Sequence, residues 1–174
     1  MEFVLISSIT CRYRESSKKG FITCPRRTPN AILMSFLILM SACAQNVLAN
    51  PTGGQVTAGN ASISNPSANV VQIHQTSDKA VIDWRTFNIA PNEKTQFQQP
   101  SRSSITLNRI DPSNGASSIL GRLQANGQVW LINPAGIFFG PTARVDVGGL
   151  LATTANITNQ DFMAGKYHFT QSPN

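Results

Sequence analysis

The sequence predicts an all-β protein, and three observations carry that reading. Apolar and polar residues alternate with a period of two over short stretches. Turn residues punctuate those stretches every few positions. Long helical periodicity is missing after residue 50, where Asn, Gly, Ser, Thr, Gln and the branched aliphatics dominate.

Taken in order, Val71 and Ile73 share one face of a strand, with Gln72 and His74 on the other. Ile105 and Leu107 alternate with Ser104, Thr106 and Asn108. Val129 and Leu131 point one way and Trp130 and Ile132 the other, so that strand is expected to be covered on both sides. Ala143, Val145 and Val147 alternate with Arg144 and Asp146, an inside/outside pattern that leaves the two charged residues in solvent. Turns are expected at Pro51-Thr52-Gly53-Gly54, Asn65-Pro66, Ala90-Pro91-Asn92, Asp111-Pro112, Gly140-Pro141 and Gly148-Gly149. The best helical candidate is one short turn near Ser117 to Leu123.

Short strands at close spacing fit a sandwich or a stacked solenoid. Two features favour the solenoid. Gly54-Gln55-Val56 recurs as Gly127-Gln128-Val129, and Asn recurs beside corners at Asn60, Asn65, Asn88, Asn133, Asn156 and Asn159. In stacked coils such corners superimpose, and Asn tolerates left-handed backbone and can pair its amides along the stack.

Charge and cysteine separate the first 49 residues from the rest. Six basic residues (Arg12, Arg14, Lys18, Lys19, Arg26, Arg27) face Glu2 and Glu15 there, so +4 of the formal +6 lies in that segment. The basic character therefore argues little for nucleic acid. Residues 31–44 are an apolar run of 14 residues, short of the roughly 20 a membrane span needs and suited to the h-region of a secretory signal. Val47-Leu48-Ala49 places cleavage after Ala49, dividing the chain into a leader, 1–49, and a mature domain, 50–174. A competing reading makes Met40-Ser41-Ala42-Cys43 a lipoprotein signal acylated at Cys43. Cys11, Cys24 and Cys43 all lie in the leader, so the mature domain has neither disulfide nor cysteine metal site. That suits a chain that crosses an oxidising compartment and must stay unfolded for a second crossing.

The sharpest local signal is Asn133-Pro134-Ala135-Gly136-Ile137, between "VWLI" and "IFF". Asn at the first position of a type I turn can bond the backbone. Pro134 presets φ at the second, and Gly136 suits the fourth.

In context this corner belongs to a longer ordered series. Trp84, Phe87-Asn88-Ile89, Phe97, Gln99-Pro100, Leu107-Asn108-Arg109 and Gly121 precede it; Gly127-Gln128-Val129, Leu131-Ile132-Asn133-Pro134, Gly136-Ile137 and Gly140 contain it; Leu151-Ala152-Thr153-Thr154 and "DFMAGKYHF" follow. From Asn50 onward the chain resembles the secretion domain of two-partner secretion exoproteins, the filamentous-haemagglutinin and high-molecular-weight-adhesin family. The resemblance implies a right-handed parallel β-helix with an N-terminal cap. It also implies a secretion signal read in the periplasm by the periplasmic domains of an outer-membrane β-barrel transporter. The leader would serve the Sec machinery, the exported product would be secreted or held at the surface of a Gram-negative cell, and no cofactor is implied. Asn133 to Ile137 would form the secretion motif, supported by Trp84, Phe87, Asn88, Ile89, Asn108 and Arg109. The family's usual corner has Asn where this chain has Ala135, and its second motif, N-P-N-L, is absent. Family members continue well past the position of Asn174, so the sequence reads as the front portion of an exoprotein, and residues 50–174 alone are expected to be marginally stable.

Other classes find less support in the residues. A β-helix carbohydrate enzyme needs paired carboxylates or calcium-binding acids, whereas Asp78, Asp83, Glu93, Asp111, Asp146 and Asp161 are scattered. His74 and His168 lack companions at metal-ligand spacing. Trp84 and Phe87 are expected to fill the core or cap, and Arg109 to be a structural donor. No cluster of aromatic or basic residues in the sequence marks a receptor site.

Overall fold

The computed structural model describes residues 50–171. The h-region, the cleavage position at Ala49 and the acylation candidate Cys43 lie outside the described residues.

Among the described residues twelve strands and one short α-helix follow in order, with a single 3-10 turn at Pro112–Asn114 between the sixth and seventh strands. They are β1 (Gln55–Ala58), β2 (Ala61–Ser67), β3 (Val70–Gln75), β4 (Lys79–Trp84), β5 (Lys94–Gln98), β6 (Ile105–Ile110), β7 (Ser117–Ile119), β8 (Arg122–Ala125), β9 (Gln128–Ile132), β10 (Ile137–Phe139), β11 (Arg144–Asp146), β12 (Gly149–Thr153) and α1 (Asn159–Met163). One five-stranded sheet has the order β1-β4-β6-β9-β12, a second β11-β8-β5-β3-β2, and β10 pairs with β7 in a third. Apart from β1 on β4 and β2 on β3, these pairings are parallel. Successive segments therefore lie one above another as roughly four coils of a parallel β-helix. At the start of the coils β1 lies antiparallel on β4 and β2 antiparallel on β3, so these two strands cap the parallel stack and are the end strands of their sheets.

Two apolar layers hold this arrangement. Inside the coils lie Val71, Ile73, Ile82, Trp84, Phe87, Ile89, Phe97, Ile110, Ile119, Leu123, Val129 and Leu131. On the outer side of the sheet β1-β4-β6-β9-β12, Val81, Ile105, Leu107, Trp130 and Ile132 pack against Ile157 and Phe162. The expectation for β9 is thus met: Val129 and Leu131 belong to the first layer, Trp130 and Ile132 to the second. Burying each such side chain stabilises the fold by about 1.5–3 kcal/mol.

Five expectations change. Asn65-Pro66 is not a turn; both residues lie within β2, where its pairing with β3 is irregular between Ser64 and Ser67. Ser117 to Leu123 is not helical; it forms β7 and the start of β8, because Ser117, Ile119 and Leu123 are buried at alternate positions and β7 lies in register with β10. Ile105 and Leu107 face the covered outer side, while Thr106 and Asn108 are buried within the coils. Their polar atoms are satisfied there. Thr106 Oγ1 donates to Gln75 Oε1, and Asn108 Oδ1 accepts from Trp84 Nε1 at 2.9 Å. The Gly-Gln-Val recurrence is no solenoid period, since β1 runs antiparallel in the cap and β9 parallel in a coil. Asn88 and Asn133 bond backbone and hydroxyl groups of the neighbouring coil, not each other's amides. Within β11 the charged residues are exposed as expected. Val145, in register with fully buried Leu123, remains 39% exposed because β11 ends its sheet.

Candidate functional site

The corner that ends β9 closes as a tight turn. Gly136 N donates to Asn133 O at 2.9 Å, and Ala135 N donates to Asn133 Oδ1 at 2.9 Å. The Asn133 amide also donates to Gly115 O at 3.1 Å and to Ser117 Oγ at 3.0 Å. Its backbone N–H reaches Thr153 O at 3.1 Å, and Ser117 N donates to Gly136 O at 3.0 Å. Asn133 therefore ties its own turn to the loop before β7 and to the end of β12. It is fully buried, whereas Pro134 is half-buried and Ala135 exposed. Gly136 sits at φ +103°, a conformation that L side chains rarely adopt. Space is not the constraint there, since a Cβ added to Gly136 would lie 3.9 Å from its nearest neighbour, Ala116 Cβ. Ile137 then enters β10, half-buried against the coil interior.

The supporting residues divide by role. Trp84 and Phe87 are core residues in edge-to-face contact, ring centroids 5.5 Å apart, and Ile89 is fully buried beside them. Asn88 Oδ1 accepts from Ser118 N at 2.8 Å, fixing the loop after β4 against β7. Asn108 links Trp84 to Trp130 O, the latter at 3.2 Å. Arg109 is the structural donor expected: its guanidinium reaches Asp83 Oδ1 at 3.0 Å, Asn156 Oδ1 at 3.0 Å, Ile157 O at 2.7 Å and Asn159 Oδ1 at 2.9 Å. It thereby clamps the segment that carries α1. Lys79 holds the far end of that segment through Phe162 O at 3.1 Å and Met163 O at 3.2 Å.

One residue of the expected secretion motif and two of its supporting residues meet at one surface. Trp84, Arg109 and Pro134 line a cleft of about 290 Å³ with Asp83, Ile110, Asp111, Pro112, Ile132 and Asn156. Asp111 is held below the usual carboxylate range by the Ser113 N–H, which donates to it at 2.9 Å. The cleft thus has an apolar floor and carboxylates at its rim. Phe87, Asn88 and Ile89 are not part of it. Sequence reasoning missed that Gly115, Ser117 and Thr153 hold Asn133, naming Ser117 only in an expected helical turn and Thr153 only in the longer series, and Asn156 and Asn159 stand out in the sequence only as corner residues. Nothing local marks the first three, since their partners are distant in sequence.

The family model for the TPS secretion domain matches residues 47–174. The chain belongs to the two-partner secretion domain family. It is 35% identical over 139 residues to a heme/hemopexin-binding protein of Haemophilus influenzae, covering 78% of this chain and 15% of that one. It is 39% identical over 107 residues to the protein of that name from strain Rd, covering 62% and 12%. The chain therefore spans a small part of the length of these relatives. Among solved structures, the HMW1 secretion domain from Haemophilus influenzae superimposes with a TM-score of 0.66 at 37% identity, over 71% of this chain and 32% of that one. Both the all-β reading and the resemblance drawn from the corner series are met by these matches. Two-partner secretion domains are the exported portions of exoproteins of Gram-negative bacteria.

Proposed function

We propose that this chain is the export signal of a longer adhesin-like exoprotein and that a cognate outer-membrane β-barrel transporter reads it in the periplasm at the Asn133–Ile137 corner and the adjoining cleft. The leader delivers it through the Sec machinery and is removed after Ala49. The domain performs no chemistry of its own. Adhesion or ligand capture belongs to the remainder of the exoprotein.

One observation carries the reading of the corner: its first residue is wholly buried and its third is exposed. Asn133 holds the shape, while Pro134, Ala135 and the cleft rim offer the surface a transporter touches. A coil contacts chiefly its neighbours, so the cap and first coils can form as they emerge outside the cell and template the next. Such stepwise folding biases the chain against sliding back without an energy source in the periplasm.

The two roles separate by experiment. Ala135→Arg adds a bulky cation to an exposed position and should leave melting unchanged while cutting secretion beside the cognate transporter. Asn133→Ala should lower both stability and secretion. Wild-type secretion of Ala135→Arg would remove the exposed corner from recognition.

A further inference from the structure

The outer face of the sheet β11-β8-β5-β3-β2 carries a pattern that export does not use. Lys94, Arg122 and Arg144 stand in direct register on β5, β8 and β11. Strand alternation turns them outward, since their neighbours Thr95 and Leu123 are fully buried. Two residues along the same strands, Gln96, Gln124 and Asp146 form a second row, which Gln72 extends onto β3. A shallow groove of about 440 Å³ runs there, lined by Gln96, Gln98, Gln124, Asn126 and Asp146 among others.

Stacking like charges on adjacent strands ~4.8 Å apart works against folding. The acids facing this row are Asp146, exposed at the end of the amide row, and Glu93, largely buried and accepting from Ala90 N at 2.7 Å. Among the described residues no side-chain hydrogen bond engages the amides of Gln96, Gln98 or Gln124. The face therefore repeats one cation and one open amide per coil over three coils, with Asp146 replacing the amide on the last.

We propose that this face binds a linear acidic polysaccharide bearing one carboxylate per sugar. The carboxylates lie over Lys94, Arg122 and Arg144, where each Arg fork can take two oxygens at once. The sugar hydroxyls lie over the amides, which both donate and accept. Adjacent strands stand ~4.8 Å apart, so the ligand's successive carboxylates must recur at about that interval. Asp146 repels a chain shifted by one row and so sets the register. The groove's aromatic neighbour, Phe97, is buried within the coils and offers nucleobases no stacking platform.

The test is titration of the purified whole chain with oligogalacturonate at about 0.15 M ionic strength, where distant charges are screened, with dextran as neutral probe and inorganic polyphosphate as an anion without sugar hydroxyls. Replacing Lys94, Arg122 and Arg144 together by Gln should weaken oligogalacturonate binding by about tenfold or more. Replacing Arg85, Arg102 and Lys166 by Gln, the same change in net charge elsewhere, should leave it within about twofold. Asp146→Asn should tighten it. Gln96→Ala with Gln124→Ala should weaken oligogalacturonate and leave polyphosphate unchanged. Thermal melts of each variant check that these substitutions leave the fold intact. Equal loss in the two triple variants, an amide double variant that affects both anions alike, or no binding of oligogalacturonate would each overturn the proposal.

Discussion

Replacing Asn133 by Ala removes three side-chain hydrogen bonds at once, and their surroundings set the cost. Gly115 O and Ala135 N belong to exposed residues, so water replaces the lost partner and each bond costs about 1 kcal/mol. Ser117 is 2% exposed, so its hydroxyl loses its partner out of reach of solvent, at about 1–3 kcal/mol. The total is about 3–5 kcal/mol, a large part of the 5–15 kcal/mol that holds a typical domain folded. For a domain of this size the midpoint should fall by roughly 10–20 °C. Thermal unfolding followed by far-ultraviolet circular dichroism reads this directly. A fall below about 3 °C would show that the turn stands without its Asn, and the assignment of Asn133 to shape would fail.

Three further outcomes are expected. Arg109→Ala should cost about 3 kcal/mol, because the carbonyl of Ile157 and the amides of Asn156 and Asn159 lose a charged partner; limited proteolysis should then cut first between residues 155 and 165. Gly121→Ala should cost about 2 kcal/mol or more, since its Cβ would collide with the carbonyl oxygens of Ala90 and Glu93 and force two coils apart; a lowered melting midpoint checks it. Asp111 is held below its ordinary range in the folded state, so its contribution is present above the unfolded-state value and fades as pH falls through the folded one. Asp111→Asn should therefore flatten the loss of stability between pH 6 and pH 3, as denaturant midpoints at the two values would show.

The parts of this molecule that could be read from sequence are those whose causes are local. The two-faced burial of β9 shows in four consecutive apolar residues, and the Asn133 turn shows in the order Asn, Pro, Ala, Gly. Trp84 and Phe87 are large enough that burial is the natural expectation. What escaped depends on residues far apart in the chain. Thr106 and Asn108 look like an outward face until Gln75, Trp84 and Trp130 are brought against them. Helix α1 has five residues, too few for a periodic signal, and owes its place to Thr158 capping Asp161 N at 3.1 Å and to Phe162 under Trp130. The row of Lys94, Arg122 and Arg144 emerges only once parallel register superimposes three separate strands. The Gly-Gln-Val recurrence misled for the converse reason: similar local sequence sits in a cap strand and a coil strand that run in opposite senses.

Export itself is the decisive matter. The measurement is the fraction of the chain recovered from the medium, in cells of equal expression that carry or lack the cognate transporter. Accumulation outside with the transporter and retention in the periplasm without it is the predicted result. Equal release in both would contradict the account.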